Sequence, residues 1–378
     1  MNTAFEPLSI VIFGGTGDLT KKKLIFALMD LYCQDLLPKQ ITIIGVAREE
    51  HSDESYRQFA EKLIDNKKHQ HPQKKVKDFL ARLHYVQADI SESASYQKLR
   101  ERVDELDKKQ GVCSSLLFYL AVSPSLYAQV FQSLSDSGLK KPCSDETWVR
   151  VAVEKPFGND LETARDLDKL LGGLFEEEQI FRIDHYLGKE TLENILAFRF
   201  SNVLFEPVWN NRYIESIEIT LYESFGVGTR GSFYEGVGAL RDVGQNHILQ
   251  MLALTTMDDP GELSASAIRA KREQILSSLV PLDMEADAES IVKGQYASYL
   301  KEKNVEADSK NETFFRLTTS LAHSRWEGVP ITIQTGKKMP DDRIEIRVKF
   351  KPVESCVCAL PETGPVGNNE VVFRMQPN

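Results

Sequence analysis

The segment Arg182-Ile183-Asp184-His185-Tyr186-Leu187-Gly188-Lys189-Glu190 concentrates cationic, acidic and aromatic side chains. If a helix begins there, His185 and Lys189 stand four positions apart and share a face. With Tyr186 they offer imidazole, ammonium and phenol to a phosphate group. A second segment, Gly14-Gly15-Thr16-Gly17-Asp18-Leu19, places glycines between an apolar run and a helical stretch. Glycine admits positive φ and close backbone approach, and a helix N-terminus presents N–H groups to a pyrophosphate. The G-x-x-G spacing departs from G-x-G-x-x-G and alone fits a bare turn equally well; the flanking strand, helix and second strand favour a dinucleotide.

Arg48 ends that second strand, where an arginine suits the 2′-phosphate of NADP. Glu49 and Glu50 follow and oppose a phosphate, so use of NAD stays open; a plain surface arginine is the competing reading of Arg48. Glu154-Lys155-Pro156-Phe157-Gly158 closes a later strand, where a lysine reaches ligands at the carboxyl edge of a sheet and Lys155-Pro156 is a candidate cis bond. In Arg241-Asp242-Val243-Gly244-Gln245-Asn246-His247, the histidine opens an apolar stretch, the usual setting of a structural histidine. Asp242 lies five positions earlier, which is not a same-face spacing in an α-helix, so it is a poor candidate to orient His247.

The elements that must position these groups follow from periodicity. Leu8 to Phe13 reads as a buried parallel strand, then a helix from about Lys21 to Tyr32 and a strand from Ile41 to Val46. Further strands are expected at His84–Gln87, Ser115–Leu120 and Trp148–Val153, with helices between. Alternating β and α predicts an α/β, Rossmann-like N-terminal domain with a parallel sheet over residues 1–184. Beyond it, Ile214, Ile217, Ile219 and Leu221 alternate with polar residues, as a half-buried antiparallel strand does. Helices are expected near Lys189–Phe200, Ala239–Thr256 and Ala265–Leu279, and strands at Phe314–Leu321, Ile331–Gln334, Ile344–Phe350 and Val371–Met375. Residues 185–378 therefore read as an α+β domain with a large, mainly antiparallel sheet.

The chain has 378 residues and a formal net charge of −10, which argues against nucleic acid or anionic membrane as partners. Lys67, Lys68, Lys74, Lys75 and Lys77 read as a solvated helix face, because acidic residues are interspersed. No segment approaches a membrane span, and the N-terminal apolar run lacks the basic flank of a signal peptide. Cys33, Cys113, Cys143, Cys356 and Cys358 read as ordinary thiols of a reducing cytoplasm, and no metal is expected.

In order and separation, GGTGDLTKKKL, EKPFG, RIDHYLGKE and RDVGQNH closely resemble the glucose-6-phosphate dehydrogenase family, with FRFSNVLFEPVWN, RWEGVPI and TGKKMP as further matches. The resemblance implies oxidation of C1 of glucose 6-phosphate to the phosphogluconolactone, with reduction of NADP to NADPH. It implies His247 as general base with Asp184 as its carboxylate partner, supplied from the other domain. His185, Tyr186 and Lys189 match phosphate-binding positions, Glu223 and Asp242 positions that bind sugar hydroxyls, and Lys155 and Lys337 substrate-contacting lysines. Gly14, Gly15, Thr16, Gly17, Asp18, Leu19, Arg48 and Lys155 fall on the cofactor side. A homodimer or higher homo-oligomer, paired through the large sheet, is implied as well.

Two departures temper these expectations. Asp342 occupies a position six after the glycine of TGKKMP, where a basic residue is usual, unless a one-residue shift lets Arg343 substitute. The family's second domain also continues by roughly a hundred residues beyond Gln376-Pro377-Asn378, so the domain is expected to be shortened. The competing readings are a dehydrogenase of another sugar and a shortened, inactive paralogue that binds cofactor.

Overall fold

The computed structural model describes residues 6–66, 71–158, 160–283, 285–352 and 369–376. Lys67, Lys68, Cys356 and Cys358 lie outside the described residues. Two compact units divide between Ile183 and Asp184, which groups Asp184 with the second.

The first unit carries β1 (Leu8–Phe13), β2 (Ile41–Ala47), β3 (Leu83–Gln87), β4 (Ser115–Leu120), β5 (Val149–Val153) and β6 (Ile180–Arg182). They lie in the order β3-β2-β1-β4-β5-β6, every neighbouring pair parallel. This is the doubly wound order whose reversal falls between β1 and β4. Ile10 and Ile12 pack with Ile25, Met29 and Tyr56 on one face, whereas Val11 and Phe13 pack with Phe118 and Phe131 on the other. A sheet buried on both faces needs apolar residues at successive positions, which is why β1 is a continuous apolar run. Only β6 escaped the sequence reading; three residues carry too little pattern.

Helix Gln73–Leu80 buries Val76, Phe79 and Leu80 and exposes Lys74 and Lys77, so the basic cluster within the described residues is a solvated face. The thiol expectation is corrected at one pair. Cys113 and Cys143 form a disulfide with Cα atoms 6.0 Å apart, joining the segment before β4 to the segment before β5. Thirty residues of separation hid that proximity. Cys33 is a buried free thiol.

The second unit carries β7 (Ile214–Glu223), β8 (Ile291–Gly294), β9 (Phe314–Thr319), β10 (Ile331–Lys337), β11 (Arg343–Phe350) and β12 (Glu370–Gln376). Their order is β12-β11-β7-β10-β9-β8, antiparallel except for the β7–β10 pair. Ile217, Ile219 and Leu221 face a core that includes Ile333, Ile346, Met251 and Leu252. The alternate residues of β7 are polar, and Gln334 donates to Glu218 and Thr220 at 2.9 Å each. The segment expected as one helix from Ala239 to Thr256 is continuously helical but changes its winding. Leu240–Ile248 is a π-helix that continues as the α-helix Leu249–Thr256. Among the described residues no helix is long and apolar enough to cross a membrane.

Candidate active site

In the first unit the glycine loop leaves β1 at Gly14, whose φ is +88°. Gly14 and Gly15 both donate to Val46 O, at 2.9 and 3.0 Å, and Gly17 N donates back to Gly14 O at 2.9 Å. A Cβ on Gly14 would press into the Ala121 carbonyl, and one on Gly15 would lie 2.6 Å from Gly45 Cα. This is a cradle that only glycine fits, at the carboxyl edge of β1, β2 and β4. Replacing Gly14 with alanine should cost about 2–5 kcal/mol from the left-handed backbone and the clash together, read as a fall in denaturation midpoint.

Thr16 donates to Glu49 at 2.6 Å, and that bond holds the Glu49 carboxyl below its ordinary range. Tyr56 donates to Gly15 O at 2.9 Å and so braces the loop from the next helix. Arg48 is exposed at the end of β2, and Asp18 is exposed and paired with Lys22 at 2.7 Å. Lys155 follows β5, its peptide bond to Pro156 is cis, and the neighbouring Glu154 carboxylate accepts from Tyr119. Glu49 and Tyr56 were not expected to touch the loop. The contacts span 33 and 41 residues, which no local spacing displays.

In the second unit His247 Nδ1 and Asp184 Oδ1 meet at 2.6 Å, with side chains only 3% and 6% exposed. Asp184 Oδ1 also accepts from Tyr186 N at 2.9 Å, whereas its Oδ2 is buried without a hydrogen-bond partner. Burial pushes the Asp184 carboxyl up, but the bond to His247, the charge on that ring and the Tyr186 N–H outweigh it, so the net shift is downward. The carboxylate thus stays ionised beside the imidazole, an arrangement that favours Nδ1–H toward Asp184.

Two rings pack against His247 of this pair. Tyr186 stacks on His247 with centroids 4.1 Å apart and planes at 26°, and His185 meets His247 edge-on at 4.7 Å. Burial, then the negative charges of Glu223, Asp184 and Asp242, raise the Tyr186 phenol, so those carboxylates surround it and it remains a neutral donor. Lys189 Nζ sits 5.0 Å from the Tyr186 centroid and caps a helix, Glu190–Phe200, whose N-terminus no side chain closes. A cation at an open positive helix end suits an anion. Lys337, 3% exposed, pairs with Glu223 at 2.5 Å between the ends of β10 and β7. Among the described residues, donor atoms of Asp184, His185 and His247 also lie within 4.8 Å of one another, close enough to grip a divalent cation.

The π-helix changes the spacing argument for Asp242, although the carboxylate that pairs with His247 is that of Asp184. Asp242 and His247 are both buried, at 7% and 3% exposure. In a helix bonded i to i+5, residues five apart lie on one face, whereas an α-helix turns them about 140° apart. Asp342 accepts from Ser224 N at 2.6 Å, and Arg343 pairs with Asp341 at 2.9 Å. Arg272, whose buried Nε lacks a partner and whose guanidinium feels the Asp184 charge, went unnoticed in the sequence, where it is one of several cations on an amphipathic helix.

A doubly wound unit with a glycine cradle, in one chain with an α+β unit bearing a buried His–Asp pair, is the make-up of a nicotinamide-dinucleotide oxidoreductase. The "Glucose-6-phosphate dehydrogenase, NAD binding domain" family matches residues 11–194, and its "C-terminal domain" counterpart matches residues 196–378. The chain belongs to the glucose-6-phosphate dehydrogenase family. It is 41% identical over 384 residues to a glucose-6-phosphate 1-dehydrogenase of Aggregatibacter actinomycetemcomitans, covering 99% of this chain and 76% of the relative. With the enzyme of that name from Bacillus subtilis it shares 38% identity, covering 100% and 78%. A solved glucose-6-phosphate dehydrogenase in complex with glucose 6-phosphate superposes with a TM-score of 0.88 at 36% identity, covering 100% of this chain and 78% of that one. The crystal structure of the Mycobacterium avium enzyme gives 0.86, also at 36% identity, covering 99% and 79%.

Proposed function

We propose that the protein oxidises D-glucose 6-phosphate to 6-phospho-D-glucono-1,5-lactone and reduces NADP to NADPH, the first step of the oxidative pentose phosphate route. The observation that carries this reading is the buried His247–Asp184 pair ringed by His185, Tyr186 and Lys189. His247 Nε2 takes the proton of the C1 hydroxyl as the C1–H bond gives up its electron pair and C1=O forms. Asp184 holds Nδ1–H and balances the imidazolium that results. When bound, the nicotinamide supplies the hydride acceptor. Gly14, Gly15, Thr16, Gly17, Asp18 and Leu19 would hold its pyrophosphate, in the space that the missing Cβ atoms leave, with Lys155 at the same sheet edge.

His185, Tyr186 and Lys189 grip the substrate phosphate, while Glu223, Asp242 and Lys337 bind sugar hydroxyls. The Lys337–Glu223 pair supports that division, because a neutralised lysine offers hydrogen bonds rather than net charge. The same proposal assigns cofactor to the first unit, sugar and subunit pairing to the second, a homodimer through the polar sheet face, and a cytoplasmic location.

Arg48 supports NADP over NAD, since its exposed guanidinium is placed to pair a 2′-phosphate, while Glu49 is engaged by Thr16. The test follows reduced-nicotinamide absorbance with glucose 6-phosphate and each nucleotide. Turnover should require the phosphorylated sugar. Arg48→Ala should raise KM for NADP by about tenfold, the size of one charge-assisted contact, and leave KM for NAD nearly unchanged. No turnover from a folded sample would favour the inactive-paralogue reading.

A further inference from the structure

The helix that carries Asp242 and His247 is wound as a π-helix for nine residues, Leu240–Ile248. Such geometry is rare and mostly confined to single turns, so something outside the helix must sustain it. One short stretch of chain touches it twice. At its start, Glu312 O accepts from Ala239 N at 2.9 Å and Glu312 Oε1 accepts from Leu240 N at 2.9 Å. Gly238, at φ +73°, makes room for that carboxylate, since a Cβ there would lie 2.5 Å from Glu312 Oε1. Three residues on, in β9, Phe315 presses its ring against Gly244, where a Cβ would stand 2.5 Å from Phe315 Cζ. The same stretch meets the lysine of β10, because Lys337 N donates to Thr313 O at 2.9 Å.

We propose that Glu312 and Phe315 are positioning residues that hold this helix in its π register and thereby set Asp242 and His247 on one face. The inference rests on the functional reading above, in which His247 is the base and Asp242 a sugar contact. Glu312 satisfies the first N–H of the helix and fixes where its bond ladder begins. The Phe315 ring fixes how closely the middle of the helix approaches the sheet. A change to α register would turn Asp242 and His247 about 140° apart, so both could no longer address one sugar.

Conservative and disruptive variants of the full chain separate positioning from plain packing. Glu312→Ala should lower kcat by about tenfold or more, as small misplacements of reacting groups do, with KM for NADP unchanged. Glu312→Gln, which keeps the accepting oxygen, should stay within about twofold of wild type. Gly244→Ala should fall like Glu312→Ala, and the volume-shifting pair Gly244→Leu with Phe315→Ala should recover most of the loss. Amide hydrogen exchange across 240–248 should rise in Glu312→Ala and return to wild type in Glu312→Gln.

Unchanged kcat in folded Glu312→Ala and Gly244→Ala would overturn the proposal. So would equal damage in Gln and Ala variants accompanied by general loss of thermal stability, which marks a merely structural residue. Unaltered exchange at 240–248 in Glu312→Ala overturns it without reference to turnover. A wild-type chain that binds nucleotide but never turns over glucose 6-phosphate defeats the functional reading instead, and the exchange result then decides the helix question alone.

Discussion

Replacing His247 with asparagine should lower kcat by about 10³-fold while KM for glucose 6-phosphate moves by no more than a few-fold, since general-base catalysis contributes about 10²–10⁴. Asparagine fits the cavity and can still donate to Asp184 Oδ1, so the buried carboxylate keeps a partner. Only the acceptor nitrogen facing the sugar is lost. Leaving that carboxylate unpaired would be the destabilising event, because its Oδ2 already lacks a partner. Asp184→Ala is for this reason expected to lose turnover and stability together, and the asparagine variant is the cleaner probe. A variant that turns over at the wild-type rate would remove His247 from the chemistry.

The second large effect concerns the phosphate. His185→Ala combined with Lys189→Ala should raise KM for glucose 6-phosphate by about 10²-fold or more, two charge-assisted contacts at about 1.5–3 kcal/mol each. KM for free glucose should barely change, since neither group then has a dianion to meet. The structure favours a concentrated effect. Lys189 opens a helix that no side chain caps, so ammonium and helix end act on the same anion. His185 edges against His247, which ties the phosphate contact to the catalytic ring. Added salt should weaken wild-type binding of the phosphorylated sugar and leave the double variant less sensitive. Equal loss for glucose and its phosphate would instead favour a dehydrogenase of another sugar.

Asp342 bears on the same comparison. Its carboxylate is taken up by the Ser224 N–H directly after Glu223, so it tethers the turn that presents Glu223. A position where the family resemblance implies a basic residue serves here as backbone support, and in the proposed reading the cationic contribution falls to Lys189 and His185.

The first five strands of the parallel sheet could be read from the chain because each is a buried apolar run, and β7 because one polar face imposes strict alternation. β6 and β8 were missed because three- and four-residue edge strands carry no period to detect. The site residues were legible as a set through clustered motifs and family resemblance. The His247–Asp184 pairing came from the resemblance alone, since the bond joins positions 63 apart and no local spacing displays it. The Cys113–Cys143 bridge and the Thr16–Glu49 bond were hidden for the same reason.

What the amino-acid sequence determined by itself is therefore local and repetitive: which segments bury one face or two, where glycine must stand, and which ionisable groups are available. These follow from hydrophobic period and side-chain chemistry, properties each segment carries alone. The tertiary structure brings Asp184 and His247, paired beforehand only by the family resemblance, to 2.6 Å, and winds the helix that carries Asp242 and His247 in π register. A π-helix is rare when left to itself, so local propensity does not call for one here. In the proposal above the choice falls to Glu312, just before β9, and to Phe315 within it.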